Sequence, residues 1–320
     1  MPSFLAGAAA PFVSSSQSGR PSSVQPTDRQ FGSVSVLIGE KNGKYPQGNS
    51  LWIEGRDATA IIDPSLAVVT RAAEFAGRAD LVVHSHVHED HVAGVHLFPR
   101  AEVHAHRFDA PGLRSLDGFM AIYGYQGADS AWRDVLVSQF HYVARPDTRD
   151  YEDGACFDLG GTRIRAVSLP GHTRGHCGLL IEPEGILFLG DIDLSSFGPY
   201  YGDAWSDLED FERSLQRVGD IEARVWVSFH HVGVIDDRAA FIEKLERFTA
   251  KLAQREREIV EFLATPHSLA EMVAHRFLYP PHATLSFIDA AERRTIEQHL
   301  ERLLHAGRIE RLDGDVFSAR

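Results

Sequence analysis

The run His84-Ser85-His86-Val87-His88-Glu89-Asp90-His91 follows directly on the apolar stretch Leu81-Val82-Val83. A short apolar strand that opens straight into ionisable side chains needs a reason, because buried polar groups must be paired. Imidazole is the commonest metal ligand among side chains. In an extended chain, residues two apart share a face, so His86 and His88 can converge on one ion. Asp90 and His91 come as the chain turns into the next element and can face a second ion. A lone histidine here would read as an ordinary core or surface imidazole. Four ligand-type residues, His86, His88, Asp90 and His91, within six positions after a buried strand read as a metal site.

Three further clusters share the same placement at a strand's C-terminal end. Gly171-His172-Thr173-Arg174-Gly175-His176 follows an alternating strand over 162–169, so either His172 or His176 can ligate. Gly190-Asp191 follows the apolar strand over 185–189, and a carboxylate there has lone pairs on both oxygens with which to bridge two cations. Alone, Asp191 would read as a turn or capping residue. His230-His231 closes a strand over 225–229, and successive residues on a strand face opposite ways, so one of the pair points inward.

The surrounding pattern predicts an α/β fold of two sheets flanked by helices. Strands are expected at 33–38, 49–55, 58–63, 81–83, 101–105, 162–169, 178–181, 185–189 and 225–229, and helices at 67–77, 208–218 and 239–264. Residues 107–140 read as an insertion with some helix, aromatic through Phe119, Tyr123, Tyr125 and Trp132. Residues 1–27, rich in Ala, Ser and Pro, read as a flexible N-terminal arm, with no basic residue ahead of the apolar stretch as a secretory signal requires. Residues 251–320 read as a separate small unit. Thr265-Pro266 ends the long helix, short helices cover Ser268–His275 and 288–306, and a hairpin turning at Asp313-Gly314 closes the chain. Three helices and a hairpin are the outline of a winged helix.

Composition narrows the classes. With 32 Lys and Arg against 45 Asp and Glu, the net charge is −13, which disfavours phosphate-backbone and anionic-membrane partners. Residues 251–320 carry ten basic and eleven acidic side chains, so they have no basic face to offer a nucleic acid. Cys156 and Cys177 cannot build a disulfide framework. No apolar run reaches bilayer-spanning length, and a cytoplasmic protein is expected.

The run His86-Val87-His88-Glu89-Asp90-His91, then Gly171-His172-Thr173, Gly190-Asp191 and a late histidine, resembles the metallo-β-lactamase fold superfamily over roughly residues 30–250. The resemblance implies a four-layer αβ/βα sandwich as the catalytic domain, residues 28–250, carrying a winged-helix-like appendage as in some members. It carries over His86, His88 and His172 as ligands of a first metal. Asp90, His91 and a late histidine hold a second, and Asp191 bridges both. Asp63 matches an aspartate that supports the metal loop, and His176 becomes a supporting residue. Members with a histidine, one spacer and a glycine favour His231 over His230 as the last ligand. His84 stands at a position that is usually hydrophobic and is not counted as a ligand.

The expected protein is a dinuclear metal-dependent hydrolase. Its expected cofactor is two Zn²⁺ per chain, with iron, which other superfamily members use, or manganese as alternatives. Zinc lowers the pKa of a bound water to about 7, so a bridging hydroxide can attack an ester, lactone, thioester or amide of a small molecule. Asp90 is the catalytic residue expected to orient that hydroxide. A metal-dependent endoribonuclease or phosphodiesterase is the alternative that the C-terminal unit suggests. A non-enzymatic metal-binding scaffold is the second, disfavoured because closed structural zinc sites take four protein ligands each, often cysteine. Specificity is expected from the 107–140 insertion and from Phe197-Gly198-Pro199-Tyr200-Tyr201-Gly202. There a tyrosine hydroxyl can serve a developing oxyanion, although packing is the favoured reading of both tyrosines. The C-terminal unit is expected to pack or oligomerise, with a homodimer possible.

Overall fold

The computed structural model describes residues 28–124, 129–285 and 287–320. The arm at 1–27 and Tyr125 lie outside the described residues. One sheet takes seven strands in chain order: β1 (Arg29–Phe31), β2 (Val34–Leu37), β3 (Ser50–Glu54), β4 (Thr59–Ile62), β5 (Leu81–Val83), β6 (Glu102–His106) and β7 (Arg149–Tyr151). Its pairing is antiparallel from β1 to β4 and parallel from β4 to β7. The second sheet contains β8 (Cys156–Asp158), β9 (Arg163–Ser168), β10 (Cys177–Glu182), β11 (Ile186–Phe188), β12 (Val225–Val227) and β13 (Val234–Ile235). Their spatial order is β13-β12-β11-β10-β9-β8, with only β11 and β12 parallel.

Strand alternation creates the layers. Leu51, Ile53, Ala60, Ile62 and Val83 of the first sheet meet Ile164, Leu179, Ile181, Phe188 and Val227 of the second in one apolar core. The opposite face of the first sheet, with Trp52, Ile61, Val82 and Val103, packs on Val68, Phe75, Leu113 and Phe119 from flanking helices. Leu187 and Trp226 of the second sheet pack on Phe211 and Leu215 of helix Leu208–Asp220 and on Phe241 and Phe248 of helix Arg238–Phe262. Trp226 and Phe241 stack with centroids 4.5 Å apart. Helix, sheet, sheet, helix is the four-layer sandwich expected.

Local differences from expectation have local causes. The helix expected at 67–77 is two short pieces, Leu66–Thr70 and Ala72–Phe75, because Arg71 leaves helical geometry at φ −111° and ψ 25°. Strands β1, β7, β8 and β13 were not expected. They are two or three residues long, and neighbouring strands supply the pairing that their own sequence does not announce. The insertion forms helices Ala110–Arg114, Leu116–Tyr123 and Asp129–Ser138.

Helix Arg238–Phe262 runs unbroken into the C-terminal part of the chain. There helices Leu269–His275 and Ile288–His305 and a sheet of β14 (His267–Ser268), β15 (Ile309–Arg311) and β16 (Val316–Ala319) surround a separate core. That core holds Ile259, Leu263, Met272, Ile296, Leu300, Leu303 and Phe317. Ser268 and Glu271 form a capping box at the start of helix Leu269–His275, satisfying two end donors reciprocally. Among the described residues, no helix is long and apolar enough to cross a membrane.

Candidate metal centre

The loops after β4, β5, β9, β11 and β12 converge at one edge of the sandwich. After β5 the chain bends at Ser85 and His86 and is extended again at His88, which precedes the single helical turn Glu89–Val92. His86 and His88 still turn their rings to one another, and Asp90 and His91 rise from the turn. After β9 the chain reaches Gly171 at φ 127°, a conformation that L side chains rarely adopt. A Cβ there would lie 2.2 Å from the backbone of Phe211, so only glycine lets His172 approach.

The side chains form two adjoining groups. His86 Nε2 and His172 Nε2 lie 3.2 and 3.0 Å from His88 Nδ1, and Asp191 Oδ2 is 3.3 Å from His172 Nε2. Beside them, His91 Nε2 is 2.9 Å from Asp191 Oδ1, and His230 Nε2 is 2.9 Å from Asp90 Oδ2 and 3.8 Å from Asp191 Oδ1. Asp191 thus turns one oxygen to each group. His86, His88, His172 and Asp191 make one candidate ligand set, and Asp90, His91 and His230 another.

The outer ring nitrogens explain these orientations. His172 Nδ1 donates to the Tyr200 carbonyl at 2.9 Å and His230 Nδ1 to the Gly43 carbonyl at 2.7 Å. His91 Nδ1 donates to Asp63 Oδ2 at 2.8 Å, and His88 Nε2 faces Asp203 Oδ2 at 3.2 Å. A histidine that donates from one nitrogen presents a lone pair at the other. Inner lone pairs of His86, His88 and His172 about 3 Å apart repel unless positive charge lies between them. The donor set of imidazoles and carboxylates without thiolate fits divalent cations, zinc among them.

The wider shell is equally specified. Asp63, at φ 45°, accepts from Ser85 N at 2.8 Å and Ser85 Oγ at 2.5 Å as well as from His91. Burial works to raise its carboxyl, but His91 and His84 hold it down at about 2. His176 donates to the Leu169 carbonyl and accepts from Asp191 N at 3.1 Å, so it holds the backbone of the bridging aspartate. Burial and nearby His172 push His176 down to about 3. His84 is buried 3.5 Å from Asp63 and belongs to neither group.

One residue expected at the centre stands outside it. His231 is at φ 59°, 33% exposed along its side chain, with Nε2 3.8 Å from Asp193. His230 takes the place beside Asp90 and His91 that was expected for His231. The strand ends at Val227, so two-residue alternation no longer governs positions 230 and 231. A tight turn does, in which Ser228 Oγ donates to the His230 carbonyl and accepts from Gly233 N. Three supporting groups were missed altogether. The Gly43 carbonyl carries no side-chain signal. Asp203 lies just past the aromatic segment singled out for specificity, next to Gly202, and Glu89 sits inside the histidine run itself.

A cleft of about 250 Å³ lies over the two groups. Tyr45, Glu89, Tyr123, Trp132, Phe197, Tyr200, Tyr279, Leu285 and Phe287 line it, and no Lys or Arg does so among the described residues. Glu89 is tied by the hydroxyls of Tyr45 and Tyr123. Tyr200 donates its hydroxyl to Asp203 at 3.0 Å, and Tyr201 is buried with its hydroxyl on His299. Tyr279, Leu285 and Phe287 belong to the C-terminal unit, which therefore forms part of the cleft wall.

A sequence profile of the metallo-beta-lactamase superfamily matches residues 44–249. The chain belongs to this superfamily. The Beta-lactamase-like protein 2 homolog of Caenorhabditis elegans is 25% identical over 260 residues, 78% of this chain and 77% of its own. The Atrochrysone carboxyl ACP thioesterase of Aspergillus fumigatus is 27% identical over 236 residues, 71% of this chain and 63% of its own. The Acyl-coenzyme A thioesterase MBLAC2 of Homo sapiens is 28% identical over 208 residues, 56% and 71% of the two chains. Among solved structures, a metallo-beta-lactamase family protein from Thermus thermophilus superposes with a TM-score of 0.67 at 25% identity, covering 90% of this chain and 99% of that one. As a member of this superfamily, the protein is a metallo-hydrolase.

Proposed function

We propose that this protein is a dinuclear zinc hydrolase of thioesters whose acyl group is small-molecule-sized and apolar. The observation that carries the reading is Asp191, with one oxygen toward His172 and the other toward His91 and His230, beneath a cleft with apolar walls. In this reading His86, His88 and His172 hold the first metal, Asp90, His91 and His230 the second, and Asp191 both. When bound, such cations polarise a carbonyl oxygen and lower the pKa of coordinated water. Asp90, with Oδ2 on His230, orients the attacking water and takes up its proton. Trp132, Phe197, Leu285 and Phe287 hold the acyl group and exclude water.

The thioester choice draws support from relatives that are themselves named acyl-coenzyme A and acyl carrier protein thioesterases. The cleft favours it over a phosphodiester, because RNA would want cationic lining and finds carboxylates instead. Free Cys156 and Cys177 suit the reducing cytoplasm. Residues 28–250 act as the catalytic domain and 251–320 as a winged-helix-like unit in this reading.

Metal analysis of the purified protein should find two ions per chain. A panel of acetyl to palmitoyl thioesters, a lactone, a β-lactam and an RNA should show thioester turnover, lost on chelation and restored by Zn²⁺. Cleavage of the RNA with every thioester left intact would replace this reading with the nuclease.

A further inference from the structure

Segment 197–203 stands between the metal centre and the C-terminal helices. On its inner side the Tyr200 carbonyl accepts from His172 Nδ1 at 2.9 Å, and the Asp203 carboxylate faces His88 Nε2 at 3.2 Å. These two contacts decide which nitrogen of each ring faces the first ligand group.

On its outer side the same segment is gripped by helices Arg238–Phe262 and Ile288–His305. Arg255, 4% exposed, donates to the carbonyls of Phe197 and Pro199 and to the Tyr201 hydroxyl. Gln298 donates to the Tyr201 carbonyl at 2.9 Å and accepts from Leu208 N at 2.6 Å. His299 Nε2 lies 2.8 Å from the Tyr201 hydroxyl. A Cβ on Gly202 would lie 2.8 Å from the Cβ of Ala291, so helix and segment touch backbone to side chain. Burying a guanidinium is expensive, and closing an apolar interface does not require one. Here its donors dictate where one short stretch of backbone runs.

Among the described residues, the second ligand group has no such tie. His91 is oriented by Asp63 and His230 by the Gly43 carbonyl, and both supports come from the first sheet's connecting loops.

We propose that Arg255 and Gln298 are positioning residues for the first metal. Through segment 197–203 they set His88 and His172, so binding at His86, His88, His172 and Asp191 depends on the C-terminal helices, and binding at Asp90, His91 and His230 does not. This rests on the dinuclear reading above.

The test strips the full-length chain of metal and titrates it with Co²⁺ against a competing chelator, following the d–d absorption of each step. Wild type takes up two equivalents. Arg255→Met and Gln298→Leu each weaken one step about tenfold and leave the other within about twofold, the low end of what outer partners of metal-ligating histidines typically contribute. Arg255→Lys, which keeps a donor, recovers part of the loss. Leu303→Ala, in the apolar core of the C-terminal unit, lowers the melting temperature and leaves both steps in place. If Arg255→Met fails to fold, Gln298→Leu decides. Unchanged steps in both variants, equal weakening of both steps, or an equal weakening by Leu303→Ala overturns the proposal while the two-metal reading stands. A wild type that takes up fewer than two equivalents overturns that reading and this proposal together.

Discussion

His230 and His231 are neighbours in the chain with opposite surroundings. His230 is buried between Asp90, Asp191 and the Gly43 carbonyl, and His231 leans toward solvent. Burial works against a charge on His230, but Asp191 and Asp90 raise it to about 9, which marks how strongly the two carboxylates attract positive charge at this spot. Replacing His230 by alanine should remove one of two metal equivalents and lower kcat/KM by about 10²-fold or more, the scale of losing a group that acts in the transition state. His231→Ala should keep both metals and most turnover. Metal content and steady-state kinetics on the two variants check the assignment, and the reverse outcome would return the ligand to His231.

At the scale of elements, close approach and charged contacts between helices and loops hold the site. Helix Leu208–Asp220 brings Phe211 so near Gly171 that Gly171→Ala should destabilise the fold by about 3 kcal/mol or more, from overpacking plus backbone strain. Denaturant unfolding measures this, and a loss below about 1 kcal/mol would mean the helix can slide away from His172. Helix Arg238–Phe262 offers a pH handle at Glu256. Its neighbour His299 and the guanidinium of Arg302 hold the carboxyl down at about 2 against its partial burial. A carboxyl depressed in the fold stabilises fully above its unfolded value near 4.5, and that stability is lost as pH falls toward 2. Wild type should therefore melt higher than Glu256→Gln at pH 7, with the gap closing between about pH 4.5 and 2. A gap that stays constant over that window would show that the ion pairs contribute nothing.

Over the whole molecule, the apolar cleft joins parts of the chain far apart in sequence. Trp132 comes from the insertion, Phe197 from the loop after Asp191, and Leu285 and Phe287 from the C-terminal unit. The C-terminal helices that pack on segment 197–203 thus stand beside residues that also line the cleft. Phe287→Ala should lower kcat/KM by about tenfold for a palmitoyl thioester and little for the acetyl one, because burying an aromatic ring is worth about 1.5–3 kcal/mol. A loss equal across the chain-length series would mean that the residue supports the fold and does not read the acyl group.

Much of this arrangement was legible from amino-acid order. Alternating and apolar strands interleaved with helices were enough to predict two sheets, and the His and Asp clusters after four of those strands a polar edge, because side-chain period and burial are local properties of the chain. The clustering of His86, His88, Asp90 and His91 was visible for the same reason, as were the short helices after Thr265-Pro266. Other features belong to tertiary structure alone. The choice of His230 depends on a turn closed by Ser228 and Gly233 beyond the strand's end. The supports of His88, His172 and His230 are an aspartate and two backbone carbonyls from loops distant in sequence. A carbonyl has no residue identity to read, and which one meets a ring nitrogen is decided only when packed elements bring separate loops together.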